Sequence, residues 1–367
     1  MKITFPFMGP TLIYAKLLEL LGHEIVMPNK PTKKTIDLGV KYSPEFACFP
    51  FKVLMGTYLE MMDKGIDTIV TSGGHGPCRA GYYGELHKKI LSSLGYDLDF
   101  IVFDEPKRDY KRFFQQIYRL KNDSSWYRVA RIVYTVYKMS KSIDKIEKIV
   151  SSRRAYISNK SLLNRTWRDI LKDYSRIKTV KEVNEVEKNA LKKINRFKYQ
   201  LPEEEERIRI GVVGEIYVVM EPSVNNNIEE IINSFGAEVE RSQYLSQYID
   251  ETLLPFKGNE VKEIFKKAED YIEIIIGGHA KQSMGHIVDY KDRGFDGVVH
   301  LKPFGCLPEL ISQSILDKIS TDLDMPILSL SIDEQTAQAN VMTRIEAFID
   351  FIKYQKASKK ERMVVNE

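Results

Sequence analysis

The sequence predicts an α/β fold of two doubly wound parallel-sheet lobes, with a helical region inserted between them. Three observations carry this. Strand-like and helix-like patterns alternate over the first hundred residues, as in a parallel sheet wrapped by helices. The alternation stops near Pro106. From there to Leu201 the chain lacks glycine, is rich in Lys, Arg and Tyr, and places apolar residues at helical spacing. Alternation resumes at Ile208 with a similar order of elements. The expected units are 1–105, 106–206 and 207–367, with the C-terminal helix free to pack back on the first lobe.

Each element has a local reason. Lys2–Phe7 reads as a strand, followed by a turn at Met8-Gly9-Pro10 and an amphipathic helix, Leu12–Leu21, capped by Gly22. His23–Met27 is the next strand. Phe51–Lys64 reads as a helix ended by Gly65, and Ile66–Thr71 as a buried strand running into Ser72-Gly73-Gly74-His75-Gly76-Pro77-Cys78. A helix at Tyr83–Leu94 and a strand at Asp99–Phe103 complete the unit. In the second unit, Arg207–Val213, Gly214-Glu215, a helix near Asn227–Phe235 and Gly236-Ala237-Glu238-Val239 repeat that order. Ile272–Ile276 leads into Gly277-Gly278-His279-Ala280, an echo of Gly73-Gly74-His75-Gly76, and Phe295–Val299 leads towards Cys306. Pro326–Ile332 is a last strand, after which Asp333-Glu334 should open a helix through Arg344 and Phe351, acidic residues suiting a helix start.

Composition narrows the function classes. Hydrophobic content of 43% and charged content of 29% are ordinary for a globular protein. No apolar stretch approaches a membrane span, and the N-terminus lacks signal-peptide character, so a cytoplasmic protein is expected. Three cysteines are few and odd in number, against a disulfide framework. A net charge of +4 is mild. The basic, aromatic insertion also carries many acidic residues, so a solvated helical face is expected there rather than a nucleic-acid surface.

The cysteines are the most informative residues. Cys48, Cys78 and Cys306 lie in Ala47-Cys48-Phe49-Pro50, Gly76-Pro77-Cys78-Arg79 and Gly305-Cys306-Leu307-Pro308. Each has a proline within two residues, and Cys78 and Cys306 follow strand-like runs. Ligands of parallel α/β sheets collect beyond the carboxyl ends of the strands. Three thiols gathered there suit three irons of a cubane cluster, the fourth iron remaining open. Zinc held by three cysteines and a histidine, and plain buried thiols, are the competing readings. His75 and His279 could donate hydrogen bonds or act as acids nearby, or be ordinary loop histidines. Lys52 and Arg79 could offset cluster charge or attract a CoA phosphate, or be solvated cations. Neither a P-loop nor a dinucleotide fingerprint is present.

At these residues the chain resembles a known family. Cys48-Phe49-Pro50-Phe51-Lys52 with Gly56 beyond it resembles the Cys-x-Pro-x-Lys-x-x-x-Gly signature of the CoA protein activase family. That family is related to 2-hydroxyacyl-CoA dehydratase subunits and to the C-terminal part of large acyl-CoA dehydratase activases. Gly73 to Gly81 is similar to the second cysteine loop, Pro303 to Glu309 to the third, and Pro326 to Phe348 to the C-terminal strand and helix. The resemblance implies a [4Fe-4S] cluster held by Cys48, Cys78 and Cys306 in the cleft between the lobes, with His75, Lys52 and Arg79 close by. It implies reduction by a separate ATP-dependent activase ATPase and a paralogous subunit or second copy as partner. It also implies an acyl-CoA substrate, whose ketyl radical expels a hydroxyl group. A neighbouring branch holds a double cubane, which needs more thiolates than one such chain has. Two rival functions are an electron-transfer or regulatory subunit and a cluster-free nucleotide- or sugar-binding α/β protein.

Overall fold

The computed structural model describes residues 1–73, 78–104, 109–253 and 259–365. Its strands, in chain order, are β1 (Lys2–Thr4), β2 (Glu24–Ile25), β3 (Thr68–Ser72), β4 (Asp99–Phe103), β5 (Arg209–Gly214), β6 (Glu238–Arg241), β7 (Gly297–Pro303) and β8 (Ile327–Ile332). They form two four-stranded parallel sheets of order β2-β1-β3-β4 and β6-β5-β7-β8. The strand order is the same in both, so the repeated grammar of the sequence reappears as repeated topology.

Helices α1 (Thr11–Leu20), α2 (Lys33–Tyr42), α3 (Phe49–Leu59) and α4 (Tyr83–Ser93) accompany the first sheet. After β4 come α5 (Tyr110–Leu120), α6 (Trp126–Arg153), α7 (Lys160–Tyr174) and α8 (Val180–Asn195). With the second sheet run α9 (Ile216–Met220), α10 (Ile228–Ser234), α11 (Leu245–Leu253), α12 (Asn259–Lys267), α13 (Ala280–Asp292), α14 (Leu307–Asp322) and α15 (Gln338–Val365). Among the described residues no helix is long and apolar enough to cross a membrane.

Two sequence readings are corrected. Ile272–Ile276 is not a strand; it is irregular chain leading into α13, and Ile274 and Ile275 are exposed. The topological counterpart of the loop after β3 is therefore the loop after β7. The last helix starts at Gln338 rather than at Asp333. The Asp333 carboxylate instead accepts from Gln335 N–H (2.9 Å) and the Thr336 hydroxyl (2.7 Å), a local turn that competes with helix. Within α15, Arg344 donates to the Ser329 carbonyl (2.9 Å) and Lys356 to Asp296 (2.8 Å). Phe348 and Ile352 fill the space beside Gly297.

One core joins the sheets. Phe49, Val53, Ile69 and Phe100 belong to the same buried cluster as Ile210, Val299, Leu330 and Ile345. Helix α3 is its centre. It is buried on every side from Phe49 to Tyr58, the pattern of a core helix rather than an amphipathic surface one. A polar tie secures the α6 segment: Arg241, on β6, is buried between Glu147 of α6 and Glu229 of α10, and donates to both.

Helix α2 crosses α3 at backbone contact. A Cβ on Gly39 would stand 1.8 Å from the Lys52 carbonyl oxygen, and one on Gly56 1.8 Å from that of Thr35. Neither obstacle is a movable side chain, so Gly56→Ala must separate the helices. We expect it to cost about 3 kcal/mol or more, read from the urea midpoint.

His87, on α4, stacks on Phe51 with ring centroids 3.9 Å apart and donates to the Phe51 carbonyl at 3.1 Å. Burial lowers its pKa from 6.5 to about 4. The unfolded chain then binds the extra proton below pH 6.5, whereas the folded chain resists it until about pH 4. Stability should fall as pH drops through this window. Between pH 7 and 5 the His87 contribution is about 2 kcal/mol, so His87→Phe should flatten the pH dependence of unfolding by that amount.

Candidate functional site

Each cysteine immediately precedes a helical segment: Cys48 before α3, Cys306 before α14, and Cys78 before a 3₁₀ turn (Arg79–Tyr82) that runs into α4. All three have extended backbone. Pro50 and Pro308 lie in the first turns of their helices, where proline removes no needed donor. In both sheets the strand order reverses beside the first and third strands, which opens a crevice at their carboxyl ends. The segments leaving β1, β3, β5 and β7 supply Met8, Cys78, Glu215 and Cys306, and all four line one cavity of about 430 Å³. Cys48 joins them from the start of α3.

Close backbone approaches fix the thiols. The Phe49 N–H donates to the Phe304 carbonyl at 3.0 Å, tying the start of α3 to the loop after β7. Gly305 (φ +74°) lets that loop pass Cys48; a Cβ there would stand 3.3 Å from the Cys48 Cα. Gly278 (φ +58°) packs on Pro308 and beside the Cys78 sulfur.

The electrostatics are one-sided. Burial pushes the Cys48 thiol up, Cys78 up to about 11, and Cys306 higher still. The Glu215 carboxyl pushes each of the three further in the same direction. Helix N-termini favour thiolate, but burial and the neighbouring carboxyls outweigh them. The Tyr83 hydroxyl lies 2.6 Å from the Cys48 sulfur. Burial holds the Tyr83 proton on well above its ordinary value, so a Cys48 thiolate would accept from it. Glu215 starts α9 and accepts from Val218 N–H at 3.1 Å; burial raises it to about 7. Glu309, fully buried, accepts from His300 Nε2 at 2.8 Å. Its other oxygen has no hydrogen-bond partner among the described residues.

The other sequence candidates divide. Arg79 lines the cavity, yet its guanidinium donates to the Phe46 carbonyl and lies over the Phe46 ring. Lys52 is buried and pairs with Glu334 at 3.0 Å; it bridges α3 to the segment after β8 and is not among the cavity-lining residues. His279 lines the cavity as a neutral imidazole, burial holding it at about 4. His75 lies outside the described residues. Sequence reasoning gave no role to Glu215, Glu309 or Tyr83. Gly214-Glu215 at a strand end, and Glu309 one turn after Cys306, were the available signals; Tyr83 had none.

Among the described residues, no group of three or more His, Cys, Asp or Glu side chains stands close enough to hold a single metal ion. All three thiols line one cavity. The donors are soft thiols backed by helix N-termini, a set that matches an iron–sulfur cluster.

A family model described as 2-hydroxyglutaryl-CoA dehydratase, D-component, matches residues 10–352. No curated protein matches the chain.

The Lys52–Glu334 pair has a testable consequence. The second Glu334 carboxylate oxygen is already buried without a partner among the described residues, so Lys52→Met would orphan the whole group. We expect a loss of about 3 kcal/mol in urea unfolding, partly recovered in the Lys52→Met/Glu334→Leu double variant.

Proposed function

The chain belongs to the 2-hydroxyglutaryl-CoA dehydratase D-component family, and from that premise we propose that Cys48, Cys78 and Cys306 hold a [4Fe-4S]-type cluster at the junction of the two sheets. The observation that carries the reading is the placement of all three cysteines on one cavity, each at the start of a helical segment. When bound and reduced, such a cluster supplies a single low-potential electron to an acyl-CoA thioester. A separate ATP-dependent activase delivers that electron, and a paralogous subunit or second copy completes the dehydratase.

The residues of this chain set the conditions. Helix N-termini offset part of the negative charge of the thiolates. The Tyr83 hydroxyl donates to the Cys48 sulfur and so helps set the redox potential. Glu215, whose carboxyl stays protonated to about pH 7, holds a proton at the cavity wall for a departing hydroxyl group. The largely apolar wall keeps bulk water from the reacting centre.

Iron content tests this. Protein purified without oxygen should carry about four irons per chain and absorb broadly near ~400 nm, as thiolate-ligated cubanes do. Cys48→Ser, Cys78→Ser and Cys306→Ser should each lower the iron bound. Unchanged iron in all three variants would overturn the assignment. A reducible cluster with no loss of hydroxyl from any 2-hydroxyacyl-CoA, activase and ATP being present, would make the chain an electron carrier instead.

A further inference from the structure

The helices between the two sheets begin with a surface that the thiol chemistry does not use. Helix α5 exposes Tyr110, Phe114 and Tyr118, each four residues after the last, so they form one stripe along it. Helix α6 exposes Trp126, Tyr127 and Tyr134, again on one side at helical spacing. Lys121 joins the two stripes: its ammonium lies 5.0 Å from the centre of the Tyr118 ring and 5.9 Å from that of Trp126. Single exposed apolar residues are ordinary, but a row of aromatic rings across two helices is not.

The charge around this row has one sign. From Tyr110 to Lys138 the sequence holds seven Lys or Arg against one acid, Asp123, a net of +6 on a chain whose whole net is +4. Arg112 faces Glu85 and Asp104 at 3.8 Å each, Arg119 pairs with Asp99, and Arg128 donates to the Leu20 carbonyl at 3.4 Å. These contacts seat α5 and α6 on α4, β4 and α1. Arg131 and Lys138 are exposed and follow Tyr127 and Tyr134 by one turn, so they border the row; the Lys138 ammonium lies 5.7 Å from the centre of the Tyr134 ring. An apolar centre with a charged rim, built from Trp, Tyr and Arg, has the composition of a protein–protein hot spot. The face also reaches the cysteine cavity. Val133 is exposed beside Tyr134 and lines that cavity, as do Val136 and Tyr137 of the same helix.

We propose that this face docks an acidic protein, and that the partner is the electron-delivering activase of the reading above, on which its identification rests. A protein seated on α6 stands across one helix, about 10 Å, from the cavity that the three cysteines line. An acidic surface is steered towards a segment of this charge, which speeds encounter and fixes orientation. The position at the cavity rim favours a partner that acts on the cavity over a lipid or nucleic-acid surface.

Binding of the purified activase to the full chain tests this, followed by biolayer interferometry with iron determined on each preparation. Arg131→Glu/Lys138→Glu should weaken binding about tenfold or more, chiefly through slower association, and flatten its salt dependence between about 50 and about 300 mM. Tyr127→Ala/Tyr134→Ala should weaken it to a similar extent through faster dissociation. Lys188→Glu/Lys192→Glu makes the same charge change on exposed residues of α8 and should leave binding unchanged. Activase that binds every variant alike, or that fails to bind the parent chain, would overturn the proposal. So would an α8 variant weakened as much as the α6 variants, since net charge alone would then account for the effect. Phosphatidylglycerol vesicles or duplex DNA that capture the parent chain and lose the α6 variants, with the activase indifferent to them, would reassign the face and overturn it too. Iron-free protein that still binds the activase through α6 would uphold the docking face and sink the cluster. Iron-loaded α6 variants that bind the activase and are reduced like the parent would keep the cluster and sink the docking face.

Discussion

The burial of one short helix constrains everything at this site. Helix α3 is enclosed from Phe49 to Tyr58, and its contacts are made by backbone as much as by side chains. Gly39 and Gly56 bring α2 to within touching distance of its carbonyls. Phe49 N–H meets the loop after β7, and Lys52 reaches Glu334 beyond β8. Backbone-to-backbone contact leaves little slack, because no rotamer change can relieve it. Cys48, the residue that starts this helix, is thereby positioned relative to both sheets at once.

That rigidity lets the fold hold an unfavourable electrostatic arrangement. Three thiols and two carboxylic acids share a largely apolar cavity, and burial pushes the thiols and Glu215 towards their neutral forms. Groups so placed would turn away from one another if their backbones were free. Here the carboxyl ends of four strands and the starts of three helical segments pin them, so the core supplies the energy that the site itself does not. Perturbed groups clustered in a cleft are a recognised mark of function; the geometry in this protein shows how such perturbation is sustained.

Much of this was legible in the sequence. Alternation of strand and helix gave the two parallel sheets, since hydrophobic periodicity is a local property. The cysteine loops stood out because Gly and Pro mark turns at strand ends. The Cys48-to-Gly56 spacing also carried physical content that appeared only in three dimensions: Gly56 answers to a helix crossing, and Lys52 to a distant carboxylate. The misreadings share a cause. Ile272–Ile276 looks like a strand because four isoleucines in five residues satisfy strand propensity, but propensity is local and pairing is not, and β5 already has β6 and β7 on its two sides. Tyr83 could not be picked out, because its significance lies in its proximity to Cys48 across a long sequence separation.

Different parts of the chain line the cavity. At the cysteine end the walls are strand termini and helix starts of the two sheets, where a shift of one residue would misplace a sulfur. Elsewhere in the lining, Val136 and Leu245 come from α6 and α11, and α6 lies in the glycine-free stretch between the sheets. Helical walls of this kind change shape through side chains alone, without disturbing strand register. The sheets thus fix the positions of the cysteines, while the helices supply much of the apolar lining. In such an arrangement the apolar lining can change through α6 and α11 with the thiols left in place.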